Sequence, residues 1–333
     1  MTTGSGRPRV LILRALGLGD AITGIPALRG LRRRWRTAAL TIACPAPIGA
    51  WLRDLGLVDD VLPTTGLPEL TWTGSRPEVA VNLHGCGPRS HRLLQTLGPD
   101  TLVAFRCEAA GGHQGPTWRA DEHEVDRWLR LVNASGRVAE VEDLRLRPRD
   151  GNRRPQGPVV IHPGAAAPSR CWPASRWACV ASALARDHEV VVTGTAAEAE
   201  ICADVARDPR VIDRCGLDDL HGLTRLVGAA CVVLSGDTGV AHLATALATP
   251  SVTLFGPVAP AVWGPRLDAD LHRTLWSPIA AGVPGGSTPL ADLLRPGDPH
   301  GTELDPRLER IGVADVLDAV AGLPPVRRPA PGT

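Results

Sequence analysis

Short apolar runs break off at glycine-bearing turns and are followed by amphipathic stretches all along this chain, and this alternation limits the possible fold more than any other feature. "RVLILRA" (Arg9 to Ala15) comes first, and "DAITGIPALRGLRRRW" follows with apolar residues at helical spacing and arginines on the other face. "LTIACP", "VDDVLPT", "EVAVNLHG" and "DTLVAF" predict further strands, and "IGAWLRDLG", "SHRLLQTLG" and "EHEVDRWLRLVNASG" predict helices. Strands that are apolar throughout are buried on both faces. When they alternate with helices, they form a parallel sheet covered on both sides.

The pattern stops at "RPRDGNRRPQGP" (Arg147 to Pro158), which is rich in Arg, Pro and Gly and reads as a linker. It then restarts through "VVIHPG", "EVVVTG", "RVIDRCG", "CVVLSG" and "PSVTLFGP" as strands, with helices between them. A length of 333 residues suits two domains of about 150 residues each. The fold class is therefore α/β, with two Rossmann-like, doubly wound domains facing a central cleft. The expected boundaries are 1–148, a linker at 149–157, a second domain at 158–323, and a disordered tail at 324–333. In such sheets ligands bind beyond the carboxyl ends of the strands.

A net charge of +1 and a pI near 7.7 give no bulk electrostatic case for nucleic acid. All 36 Lys+Arg positions are arginine, and tyrosine is absent, a bias that fits a GC-rich coding genome. The eight cysteines form no Cys-x-x-Cys pair, and Cys179, Cys202 and Cys231 lie in apolar runs where cysteine acts as a small hydrophobe. These features point to a reducing cytoplasm. The N-terminal "VLIL" is too short for a signal peptide core, and no apolar stretch reaches about 18 residues. A soluble cytoplasmic protein is expected, and loose membrane association through loops stays compatible with it.

Four strand-to-helix turns hold chemistry. In "RALGLGD" (Arg14 to Asp20), Gly17 and Gly19 permit a tight loop and Asp20 stands at the mouth of a helix. Asp20 reads first as a plain N-cap, and otherwise as a carboxylate aimed into the cleft as a general base. A dinucleotide fingerprint would need glycine where Ile22 stands. In "IHPGAAAPSRCWP", Gly164 follows the strand and Arg170 precedes a helix start, where its fork suits phosphate oxygens; the bland reading is a solvated arginine. In "VVVTGTAAEAE", Thr193 and Gly194 form the turn, and Glu198 either accepts from ribose hydroxyls or pairs with the helix dipole. In "SGDTGVAHLATAL", Asp237, Thr238 and Gly239 precede a helix whose unpaired N–H groups make an anion site, with phosphate or diphosphate as the natural guest. Against that stand a cap without a ligand for Asp237 and Thr238, and a core histidine for His242.

In order along the chain, "LILRALGLGDAITGIPALRGLR", "VNLHGCGPRSHRLL", "HEVDRWLRLV", "IHPGAAAPSRCWP" and "LSGDTGVAHLATALATPSVTLFGP" closely resemble glycosyltransferase family 9. The resemblance implies a GT-B fold, with the acceptor side N-terminal and the nucleotide-sugar side C-terminal. It also implies inverting, metal-independent transfer with no cofactor beyond the donor. Asp20 matches the family's proposed general base. Arg170 stands where the family usually has a lysine near the donor phosphates. Glu198 resembles a glutamate that holds the donor ribose. Thr238, Gly239 and Val240 match the backbone cradle for the diphosphate, and Asp237 and His242 complete that motif. Asn82 stands where many relatives have aspartate and receives no role. "DAD" (Asp268 to Asp270) resembles a metal-binding D-x-D but lies in a Pro- and Arg-flanked loop.

The expected activity is transfer of a heptose from an ADP-activated donor to an acceptor hydroxyl on a glycan or small natural product, by a monomer. The alternatives are the same mechanism with another nucleotide hexose, or a non-catalytic nucleotide-sugar binder.

Overall fold

The computed structural model describes residues 7–67, 70–72, 74–112, 114–147, 157–277 and 297–323. Almost all of the expected linker and the whole expected tail lie outside these residues. The chain divides into two compact units, Met1–Leu144 and Arg145–Thr333.

Unit 1 contains β1 (Arg9–Leu13), α1 (Leu18–Thr23), α2 (Ile25–Arg34), β2 (Ala39–Cys44), α3 (Ala46–Asp54), β3 (Asp60–Pro63), β4 (Val79–Asn82), α4 (Arg89–Thr96), β5 (Thr101–Val103) and α5 (Glu124–Val132). Its five strands are parallel, in the order β3-β2-β1-β4-β5. The chain winds outward from β1 in one direction and then crosses to β4, so the winding reverses between β1 and β4. Residues 10–13 of β1 and all of β4 are buried; the apolar runs Val10–Leu13 and Val79–Val81 require this, and Asn82 is a polar residue buried with them.

The stretch predicted as one helix from Asp20 to Trp35 is two. The helices α1 and α2 meet at Gly24. Pro26 lacks an N–H, and its ring crowds the carbonyl four residues back, so a single helix cannot run through it. Gly24 serves a second purpose: a Cβ there would lie 2.9 Å from Arg14 Nε. The missing side chain makes room for a buried arginine.

Unit 2 contains β6 (Val159–His162), α6 (Ala174–Leu184), β7 (Val190–Val192), α7 (Ala199–Val205), β8 (Val211–Asp213), α8 (Leu220–Ala229), β9 (Val232–Gly236), α9 (Gly239–Ala246), β10 (Ser251–Leu254) and β11 (His272–Leu275). A later helix spans Val313–Ala321. All six strands are parallel, in the order β11-β10-β9-β6-β7-β8. This is the Rossmann order, with its reversal between β6 and β9. Val159, Ile161, Leu234, Val252 and Leu254 form one core with Trp172 and Trp177, whose rings meet edge to face at 4.9 Å. The Trp172 indole donates to Ile311 O at 3.1 Å and ties the segment before Val313–Ala321 to this core.

Cys202 and Cys231 are buried as expected, but Cys179 is exposed. Trp177, Val180 and Ala181 take the core side of α6, and position 179 is turned away from them by the helical period. Asp268 of "DAD" is occupied by Arg145, whose Nη2 lies 2.9 Å from Asp268 Oδ1. Among the described residues, no helix is long and apolar enough to cross a membrane.

His272 on β11 is buried, with Nδ1 2.8 Å from Ser251 Oγ. Burial pushes its pKa down to about 4. The folded protein thus keeps this imidazole neutral, whereas the unfolded chain protonates it near its ordinary value. The contribution is fully present above about pH 6.5 and declines as pH falls toward 4, by up to about 3 kcal/mol. Denaturant melts of the wild type and His272→Asn between pH 7.5 and 4.5 check this. Wild type should lose stability faster than the variant, and parallel losses would overturn the assignment.

Candidate functional site

In unit 1 the carboxyl end of β1 delivers Arg14, whose side chain is only 1% exposed. Its Nε donates to Asp20 O at 2.5 Å, Nη1 to Leu83 O, and Nη2 to Thr23 Oγ1 at 3.0 Å. The guanidinium lies 4.7 Å from the Trp128 ring centroid. Its Nη2 is 3.8 Å from Asp20 Oδ1 and 3.6 Å from Glu124 Oε1. One buried cation therefore serves two carboxylates. The Asp20 side chain keeps 27% of its exposure, so a ligand can reach it.

The N-cap of α1 is Gly17, and Asp20 occupies the third helical position. Asp20 is thus not the cap. Burial raises its pKa, the Arg14 charge opposes the rise, and Glu124 adds to it. Gly17 is exposed, and Gly19 lies in the first turn of α1.

Asn82 has a structural role. It is fully buried, its Nδ2 donates to Ser90 Oγ at 2.9 Å and approaches His91 Nδ1 at 3.0 Å, and its Oδ1 accepts from His84 N at 3.0 Å. His91 Nε2 meets Phe105 O at 2.7 Å, which places the ring proton on Nε2 and leaves Nδ1 to accept. An ionised aspartate at position 82 could not donate to either neighbour.

In unit 2 the candidates gather where β6, β7 and β9 end. The helix α9 starts after Thr238, its N-cap, and no side-chain cap is made. Thr238 Oγ1 is buried without a hydrogen-bond partner, so the expected capping role is absent. Gly239 and Val240 open the helix, and their N–H groups have no acceptor within it. Arg170 reaches Asp237 O with Nη1 at 3.4 Å, and its Nε is buried without a partner. Asp237 is buried, and its carboxylate lies 3.9 Å from His242 Nε2. His242 is also buried and meets the Trp263 ring edge-on at 5.6 Å.

A second cluster forms at the ends of β6 and β7. Glu198 Oε2 accepts from Thr195 N at 2.7 Å and from Thr195 Oγ1 at 2.8 Å, closing a capping box. Gly164 lies so close beneath this carboxylate that any Cβ would collide with Glu198 Oε1. Thr193 O accepts from His162 Nδ1 at 3.0 Å, and burial lowers the pKa of that histidine against the pull of Glu198. Gly194 is packed against the Cys202 and Cys215 sulfurs.

Residues 120–276 match glycosyltransferase family 9 (heptosyltransferase). The chain is 25% identical over 154 residues to lipooligosaccharide heptosyltransferase 2 of Campylobacter jejuni, covering 41% of this chain and 48% of that one. It is 31% identical over 116 residues to lipopolysaccharide heptosyltransferase 3 of Escherichia coli, covering 33% and 34%. The matches thus span about half, or less, of these curated relatives. In structure it superposes on E. coli ADP-heptose lipopolysaccharide heptosyltransferase II with a TM-score of 0.71, at 19% identity and covering 95% and 98%. The chain is similar to glycosyltransferase family 9 across those residues. Its two Rossmann-like units are those of the GT-B fold.

The family 9 match includes the whole unit 2 cluster and Glu124, while Gly17, Gly19 and Asp20 lie before it. The structure brings together Arg170, Asp237, Thr238 and His242, and separately Gly164, Thr193, Gly194 and Glu198. Arg14, Glu124 and His162 are the neighbours that sequence reasoning passed over. A signal existed for two of them. Arg14 follows four buried apolar residues, so it had to find partners in the interior. Glu124 shares a helical face with Trp128 and Leu131, at spacings of four and seven.

Gly164→Ala should force Glu198 off Thr195 and cost about 1 kcal/mol, the worth of a cap. The loss should vanish in a Glu198→Ala background, because the two changes break one interaction. Urea melts of the four proteins measure the coupling, and additive losses would count against it.

Proposed function

We propose that this chain is an inverting glycosyltransferase that takes a heptose from an ADP-activated donor and passes it to an acceptor hydroxyl. The observation that carries this reading is the pair of buried, unpartnered polar atoms beside the start of α9, Arg170 Nε and Thr238 Oγ1. Buried donors without partners cost about 1–3 kcal/mol each, so their presence fits a site completed by a ligand. The guest that suits a guanidinium and a helix N-terminus is a phosphate or diphosphate.

The chemistry follows from those groups. Breaking the bond between the anomeric carbon and the diphosphate builds negative charge on the leaving oxygens. Arg170 and the Gly239 and Val240 amides meet that charge without reorganising. The anomeric centre becomes oxocarbenium-like. Asp20 takes the proton of the attacking hydroxyl; its raised pKa makes it a better base than an ordinary aspartate. Attack opposite the leaving group inverts the centre. Glu198 takes the ribose hydroxyls on its free lone pairs, while Asp237 and His242 hold the turn. The positive field comes from protein groups, so the reaction runs without a metal ion or other cofactor. The partners are the donor and a glycan or small-molecule acceptor, the protein acts as a monomer in the cytoplasm, and units 1 and 2 are the acceptor and donor domains.

Asp20→Asn should lower transfer, or hydrolysis of ADP-heptose, by roughly 10²–10⁴-fold while leaving ADP binding unchanged. Arg170→Ala should weaken ADP binding by roughly tenfold or more, as expected for a lost charge-assisted bond. Calorimetric titration with ADP and a coupled assay for released ADP read both. Full activity in Asp20→Asn, or unchanged affinity in Arg170→Ala, would remove the corresponding role.

A further inference from the structure

The Arg14 cluster contains more than a base and its counter-ion. Every short hydrogen bond that Arg14 makes goes to a neutral oxygen: Asp20 O, Leu83 O or Thr23 Oγ1. The two carboxylates stand slightly farther away, Glu124 at 3.6 Å and Asp20 at 3.8 Å from the same Nη2. Glu124 cannot move away. Its Oε1 accepts from Trp128 Nε1 at 2.6 Å, and its Oε2 pairs with Arg127 Nη1. Arg127 is anchored in turn, with Nη2 2.8 Å from Arg119 O and 2.9 Å from Glu122 O. Glu124 is 4% exposed, so solvent does little to weaken its effect on its neighbours.

We propose that Glu124 is a positioning residue for Asp20: it takes a share of the single Arg14 cation and so keeps the Asp20 carboxylate from being fully paired. An aspartate paired tightly with an arginine is a poor proton acceptor, because the cation stabilises the ionised form. Splitting one guanidinium between two acids leaves Asp20 oriented but still basic. The inference rests on Asp20 as the base of the proposed transfer.

The charged groups around the Asp20–Arg14 pair come from three elements: Arg14 at the end of β1 and Glu124 on α5 act on Asp20 itself, and Arg127 on α5 and His84 after β4 act on Arg14. His84 feels the Arg14 charge, and its pKa lies below the ordinary value through burial and that charge, so it contributes little positive charge near neutral pH. Arg127 offsets part of the Glu124 charge, which limits the expected effect. In the Glu124→Gln variant the Arg14 cation falls to Asp20 alone, and Asp20 becomes the weaker base.

The test reads Asp20 directly. Carboxyl carbon NMR of the full chain follows its titration, with the Asp20 signal assigned by its loss in Asp20→Asn. In Glu124→Gln the midpoint should fall by roughly half to one pH unit. The acidic limb of kcat/KM for ADP-heptose turnover should move down with it, and the plateau rate should drop several-fold. Glu124→Asp, which keeps the charge, should stay near wild type, and it carries the comparison if the glutamine variant does not fold. There, a carboxylate that still shares Arg14 should leave the midpoint within a few tenths of a unit. A purely structural role for Glu124 would lower stability in both variants and leave the midpoint in place. An unmoved midpoint in Glu124→Gln, or a midpoint that shifts equally in Glu124→Asp, overturns the proposal. A midpoint that moves while the acidic limb stays fixed supports the pairing and sinks Asp20 as the base.

Discussion

Arg14 is a charged group with almost no contact with water, and much of unit 1 is arranged to make that tolerable. Removing a guanidinium from water costs several kcal/mol even after relaxation, unless every donor is met. Here the residue after β4 supplies the Leu83 carbonyl, α1 supplies Thr23 and the Asp20 carbonyl, and α5 supplies Trp128 and Glu124. Gly24 leaves the space the side chain occupies. The break between α1 and α2, the orientation of α5 and the position of Asp20 are all tied to this one cation. A buried ion pair of this kind adds little net stability. What it provides is a fixed geometry around a carboxylate that remains accessible.

Unit 2 meets the same problem in the opposite way. Its polar atoms at the ends of β6 and β9 are left partly unsatisfied, at Arg170 Nε and Thr238 Oγ1. Unit 1 satisfies a buried charge internally, whereas unit 2 leaves buried polar atoms without partners. The Glu198 turn lies between these extremes, since one of its oxygens is used by the Thr195 box and the other lies over Gly164. Both arrangements occur where the winding of a parallel sheet reverses, because there the connections on either side leave in opposite directions and open a crevice.

Much of this was legible in the residues. The unbroken apolar runs Val10 to Leu13, Val159 to Ile161 and Val232 to Leu234 could only be strands buried on both faces, and their spacing required crossover helices. Asp20, Arg170, Glu198 and the Asp237 to His242 turn stand out in the sequence because they lie in the turns that follow such strands. The sequence was misleading where a local rule met a tertiary one. One helical pattern crossed Pro26 and became two helices. Thr238 looked like a capping residue, but its hydroxyl meets no N–H. Cys179 sat in an apolar run yet fell on the outer face of α6. Asn82 stood out only as a departure from aspartate, until its His91 and Ser90 partners explained it.

By itself the sequence determined the two α/β halves and the turns that hold the chemistry, because hydrophobic period and glycine placement act over a few neighbouring residues. Only the tertiary structure decided which charges share a partner. Arg14, Asp20 and Glu124 are separated by up to about a hundred positions, and ion-pair energies depend on distances of a few ångströms that no local pattern encodes. The strand order of the unit 1 sheet sets β1 beside β4, and the packing of α5 against α1 and α2 completes the arrangement that makes one guanidinium the common counter-ion of two acids.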